Sequence, residues 1–193
     1  MVDQVKLFPL RTVLFPGGPL QLRIFETRYL DLVSHCLRQN TCFGVCLIRD
    51  GQEAGKPAIP FQIGTLARIV DWEKRQDGLL GITAVGEQRF RLLDTSVADS
   101  GLLTGNIEQL EDPVDLPAPT QAESINKLLD RVLQVRDLGY HLLEDHRDRA
   151  HWLSCRLAEV LPLELAERQQ LLEMHDPLER LRMLKRLLPE LNV

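Results

Sequence analysis

Several groups of side chains in this 193-residue sequence have types and spacings suited to chemistry, and each stops short of a complete site. The stretch GQEAGKP, Gly51 to Pro57, resembles a loop whose backbone N–H groups and lysine would cradle a nucleotide's phosphates. Its glycines are one residue too close, and Pro57 stands where such a loop needs a Ser or Thr for Mg²⁺. Gly17-Gly18 also fails as a phosphate nest, because Pro19 removes a backbone N–H and the residues after it alternate like a strand. The first stretch reads as a polar surface loop and the second as a tight turn.

The nucleophile patterns fare no better. SINK, Ser124 to Lys127, pairs a hydroxyl with an amine on neighbouring helical turns, but no SDN or KTG partner accompanies it. His141, His146 and His151 are five residues apart, which on a helix separates successive side chains by about 140° and prevents convergence on one metal. The four cysteines, Cys36, Cys42, Cys46 and Cys155, form no CxxC pair, and three lie in apolar segments where cysteine behaves as a small hydrophobe. Reduced, mostly buried thiols in a reducing compartment are the expectation. With no GxSxG elbow and no locally supported Cys–His pair, the sequence predicts no catalytic residue, no cofactor and no metal.

Two features suggest recognition instead. Trp72 lies in DWEKRQDG, predicted as a charged hairpin tip, where a large aromatic would be either a binding anchor or packing against the end of a barrel. Arg89 and Arg91 alternate with Phe90 and Leu92, so both guanidinium groups fall on one strand face. There they would recognise carboxylates or pair with Glu87 and Glu108.

The elements that position these residues change period along the chain. Alternating runs (Val5, Leu7; Leu20, Leu22, Ile24; Phe61, Ile63, Ala67, Ile69; Leu80, Ile82, Ala84; Phe90, Leu92) predict at least six antiparallel strands. One helix interrupts them, with Phe25, Tyr29, Leu32, Val33, Cys36 and Leu37 on its apolar stripe and Arg28, Asp31, His35 and Arg38 on the wet side. The proline-rich EDPVDLPAPT, Glu111 to Thr120, ends this part and divides the chain into 1–115 and 116–193.

Beyond it the period is helical. Thr120 and Glu123 make a capping box ahead of Ile125, Leu128, Leu129, Val132 and Leu133. Further helices are predicted from Asp148 to Leu161, from Leu165 to Met174, and from Asp176-Pro177 through Leu178, Leu181, Leu184, Leu187 and Leu188. Helices this short must bury their stripes on one another or on the sheet.

Composition limits the function classes. Net charge is −5, and a cut just after Asp115 leaves 12 basic and 15 acidic residues before the cut, 11 and 13 after, so neither half has the basic excess that gives phosphate affinity. Arginine outnumbers lysine 18 to 5, a bias that genomic base composition explains without a functional reason. No apolar run reaches the roughly 18 residues of a membrane span, and MVDQVKLFPLRTVLF lacks a basic n-region and a cleavage site, so a cytoplasmic location is predicted.

Three blocks carry a family resemblance: FPLRTVLFPGGPLQLRIFETRYLDLV, IGTLARIVDWEKRQDGLLGITAVGEQRFRLL and LPLELAERQQLLEMHDPLERLRMLKRLL. In this order, over Phe8 to Leu188, they resemble the N-terminal domain of Lon proteases. The resemblance implies an α+β fold, a β-rich PUA-like pseudo-barrel with one embedded helix followed by a C-terminal helical bundle. It also implies binding of protein or peptide segments, since in full-length Lon this domain helps recognise substrates while ATP hydrolysis and cleavage sit in later domains.

The sequence has neither a Walker A motif nor the family's Ser-Lys protease domain, so the expectation is a stand-alone, non-catalytic binding domain. PUA-like barrels elsewhere bind small ligands or RNA, which is the alternative; an uncharacterised hydrolase is a third. The expected binding surface is a groove between the two halves together with Arg23, Arg28, Trp72 and Arg89.

Overall fold

A computed structural model describes residues 3–187 apart from 54, 56, 115, 121, 122, 135–138, 141, 142 and the side chain of Ser124. Lys56, the Ser124 hydroxyl, His141 and Leu188 therefore lie outside the described residues. The elements are β1 (Asp3–Leu10), β2 (Pro19–Ile24), α1 (Thr27–Gln39), β3 (Phe43–Asp50), β4 (Ile59–Pro60), β5 (Ile63–Lys74), β6 (Leu80–Val97) and β7 (Leu103–Gln109). Four helices follow: α2 (Glu123–Leu133), α3 (Ala150–Val160), α4 (Leu165–Glu173) and α5 (Pro177–Leu187).

Hydrogen bonding runs β1-β7-β6-β5-β3 and returns to β1, which pairs in parallel with β3 over Leu7–Leu10 and Gly44–Leu47. Five strands thus close into a barrel, filled by Leu7, Cys46, Phe90, Leu92 and Ile107. Closure removes sheet edges. β2 stands outside it, pairing only with β6 among the described residues.

α1 lays Tyr29, Leu32, Val33 and Cys36 against the barrel, with the Tyr29 ring stacked on Phe8 at 3.7 Å, as the stripe predicts. Two stripe members differ. The helix starts only at Thr27, which leaves Phe25 ahead of it and 64% exposed, and Leu37 lies at the edge of the contact and is also exposed. Arg28 is a correction in the other direction, for it is buried. Its guanidinium pairs with Glu26 at 3.0 Å and donates to Gly101 O at 3.0 Å, which offsets the loss of water around the charge.

The helical half packs onto the barrel. Leu129, Leu153, Leu157, Leu161, Leu171, Leu172 and Leu184 share one core with Val13, Phe15 and Leu47 of the β-rich half. α5 begins as the sequence predicts: Asp176 Oδ1 accepts the Leu178 backbone N–H at 2.8 Å, and Pro177 takes the first helical position, where a missing N–H costs nothing.

The halves are also joined by a hydrogen bond from a buried ion pair of α3 to Pro16 O. Arg156 of α3, with no exposed surface, donates Nε to Glu159 Oε2 (2.8 Å) and Nη2 to both Glu159 Oε1 (2.7 Å) and Pro16 O (2.9 Å). Tyr140 donates its hydroxyl to Glu159 Oε2 at 3.0 Å. The pair sits on Gly17-Gly18: a Cβ at Gly18 would lie 2.0 Å from Glu159 Oε1. Gly17, at φ +70°, supplies the left-handed turn, while Gly18 is required because the carboxylate occupies the space of a side chain.

Candidate functional site

The four residues expected to form one surface occupy three places. Arg23 and Trp72 share one ribbon, on opposite faces of it. β5 leaves β3 after Ala67, so its outer part forms a three-stranded ribbon with β6 and β2. Register aligns Arg23 with Gly81 and Glu73, and Leu22 with Ile82 and Trp72.

A groove of about 370 Å³ lies here, lined by Arg23, Trp72, Asp71, Glu73, Arg75 and Gly81 among others. Trp72 is 61% exposed and sits on β5 itself; the hairpin turn comes later, closed by the Gly78 N–H to Arg75 O bond at 3.0 Å. Arg23 reaches the same turn through Asp77 at 3.1 Å. An exposed indole is among the side chains that most often anchor a protein partner.

Arg28 is interior, as described. Arg89 is interior too, 2% exposed: Nη1 donates to Leu172 O (2.8 Å) and Met174 O (3.0 Å), and Nη2 meets His175 Nδ1 at 3.3 Å. It fastens β6 to the turn after α4. Arg91 stays exposed beside Glu108 at 3.8 Å, whereas Glu87 pairs with Arg68. Between β6, β7 and this turn lies a cleft of about 680 Å³ joining the two halves, lined mainly by charged groups.

The sequence offered no support for a Cys–His pair, yet one forms inside α3, where His151 Nε2 and Cys155 Sγ are 4.0 Å apart. Burial pushes the Cys155 thiol up, and burial together with the nearby Arg180 and Arg89 charges lowers His151 to about 4. Both groups are held neutral, so the pair is not the thiolate–imidazolium of a nucleophilic site.

The same shift makes stability depend on pH. When unfolded, His151 takes a proton near its ordinary pKa of 6.5; when folded, only near 4, so between these values the unfolded state binds more protons. Stability is expected to fall by about 2–3 kcal/mol as pH drops through that window. His151→Gln should flatten this part of the profile in urea melts at pH 7, 5.5 and 4.5. Parallel profiles for both proteins would contradict it.

Sequence reasoning missed the buried arginines. One signal was available: Arg156 and Glu159, three apart in an otherwise apolar helix, can only be tolerated as a pair. Among the described residues, no group of three or more His, Cys, Asp or Glu side chains is placed to hold a metal ion, and no helix is long and apolar enough to cross a membrane.

The family model for the ATP-dependent protease La (LON) substrate-binding domain matches residues 4–190. The chain is 27% identical over 191 residues to a Lon protease of Anaeromyxobacter dehalogenans, covering 94% of this chain and 22% of that protein. It is similarly 27% identical to a Lon protease 2 of Myxococcus xanthus, covering 94% of this chain and 23% of the relative. It thus spans about a fifth of the length of the curated relatives it matches.

Among solved structures, a Lon N-terminal domain protein from Xanthomonas campestris aligns with a TM-score of 0.75 and 38% identity, covering 94% of this chain and 96% of that one. The N-terminal domain of a Mycobacterium avium complex Lon protease aligns at 0.59 and 20% identity, over the same shares of the two chains, a likeness of fold.

Proposed function

The chain belongs to the ATP-dependent protease La (LON) substrate-binding domain family, and on that premise we propose that it is a non-catalytic recognition module for protein or peptide segments. It works in the cytoplasm and supplies neither ATP hydrolysis nor peptide cleavage of its own. The β-rich part, 1–115, and the helical part, 116–193, act as one unit, because the Arg156–Pro16 hydrogen bond and the shared core join them. The observation that carries the reading is Trp72, a large aromatic left 61% exposed on the β2–β6–β5 ribbon.

Charge supports polypeptide over nucleic acid. The groove mixes Arg23 and Arg75 with Asp71 and Glu73, and a surface of balanced sign does not release the counterions that drive phosphate binding.

Trp72→Ala is the test. Binding of an unfolded polypeptide should weaken about tenfold or more, as for a buried aromatic anchor, while the melting temperature shifts by no more than about 2 °C. Unchanged affinity would remove Trp72 from the site. A collapse of folding would assign it to the core instead.

A further inference from the structure

A further cleft, of about 410 Å³, opens at the end of the barrel where β1 and β3 begin. It lies within the roughly 300–1,000 Å³ span of ligand sites, and barrel mouths are among the places where such sites recur. Val5, Leu66, Cys36 and Cys42 give it an apolar floor. Val5, Leu66 and Cys42 belong to the cluster that fills the barrel, and Cys36 comes from the inner stripe of α1.

Two cations and one carboxylate line the cleft: Lys6, Arg68 and Glu87. Glu87 is fully engaged. Its Oε1 accepts from Arg68 Nε, and its Oε2 accepts from Arg68 Nη2 at 3.2 Å and from the Cys42 thiol at 3.4 Å. The Arg68 hydrogen bond holds the Glu87 carboxyl below its ordinary value, so the two charges stay paired and cancel. Neither thiol adds negative charge, because burial pushes Cys36 up and pushes Cys42 up to about 11.

Lys6 is left over. It is half-buried and has no ion-pair partner among the described residues. Asp3, the other charged residue of β1, falls on the opposite face of that strand and accepts from Gln109 Nε2 at 3.1 Å. The Lys6 charge reaches Cys36 on the floor of the cleft. Asn40 and His35 of the α1 end stand on the same lining, and Arg68 Nη1 takes Asn40 Oδ1 at 3.4 Å, which leaves the Asn40 amide N–H groups to donate elsewhere.

We infer that this cleft binds a small carboxylic acid as its anion, one negative charge on a compact apolar body. Lys6 and the Asn40 amide hold the carboxylate by charge-assisted hydrogen bonds, and Val5, Leu66 and Cys42 take the apolar part. A single uncompensated positive charge matches a single negative one, whereas a phosphate monoester, with nearly two, would leave charge unpaired. The inference goes beyond the polypeptide reading and stands apart from it, since none of these residues lines the groove that holds Trp72.

The test is a fluorine NMR titration of the whole chain with para-fluorophenylacetate and with para-fluorophenylacetamide, its neutral counterpart. The acid should bind at least about tenfold more tightly, the worth of one charge-assisted contact. Lys6→Gln should remove most of that preference, and Lys6→Arg, which keeps the charge, should retain most of it. Equal binding of the acid and the amide overturns the inference. So does a preference that survives Lys6→Gln, or the absence of saturable binding of the acid up to about 10 mM.

Discussion

Arg156→Ala is expected to lower the unfolding free energy by about 3–5 kcal/mol, a fall in melting temperature on the order of 10 °C for a chain of this size. Arg156 has no exposed surface and Glu159 very little, and removing the guanidinium strands the carboxylate in a low-dielectric interior. Burial already pushes the Glu159 carboxyl up, with the Arg156 charge and the Tyr140 hydroxyl pulling it back. Pro16 O loses its donor at the same time. Replacing both charges, as Arg156→Met with Glu159→Leu, should recover a substantial part of the loss, because paired apolar groups of similar volume carry no desolvation cost. A loss below about 1 kcal/mol for the single change would mean that the pair contributes little to joining the halves.

Gly18→Ala is expected to cost about 2–4 kcal/mol, an unusually large effect for one added methyl. Its Cβ would lie 2.0 Å from Glu159 Oε1 and 3.0 Å from Arg156 Nη2, so the carboxylate must leave the guanidinium to make room. The cost belongs to the pair rather than to the turn, which is separable by a double-mutant cycle. In a Glu159→Ala background the same change should cost less than about 1 kcal/mol. Additive costs in urea melts would instead assign the effect to backbone strain. Gly17→Ala is a different case, since φ +70° alone makes any other residue unfavourable there.

How far the sequence reaches can be followed at these residues. The turn at Gly17-Gly18 and the failure of a phosphate nest were legible, because Pro19 and the alternation after it are local facts. What lies on the turn was not, since Pro16 and Arg156 meet across 140 positions of chain. The same holds for barrel closure: period two predicts strands, but the parallel pairing of β1 with β3 is a long-range event that no single strand announces. Helix starts written into short signals, such as Asp176-Pro177, were recovered.

The arginines mark the sharpest limit. Hydrophobic periodicity counts every guanidinium as polar and outward, yet Arg28, Arg89, Arg156 and Arg180 are buried, each matched to carbonyls or a carboxylate that tertiary structure brings to it. Two of the four candidate binding residues proved to be such interior fasteners. Arg23 and Trp72 are exposed, and seeing that they stand on one ribbon needed the β2–β6–β5 register.

The central claim, that this chain recognises polypeptide without processing it, is tested most directly by one titration. A permanently unfolded, carboxymethylated protein and the same protein in its folded form are each titrated with the whole chain, and the unfolded sample is checked for cleavage afterwards. The account expects saturable, micromolar binding of the unfolded form only, with every polypeptide recovered intact. Equal affinity for both forms, no binding of either, or cleavage of the bound polypeptide would contradict it.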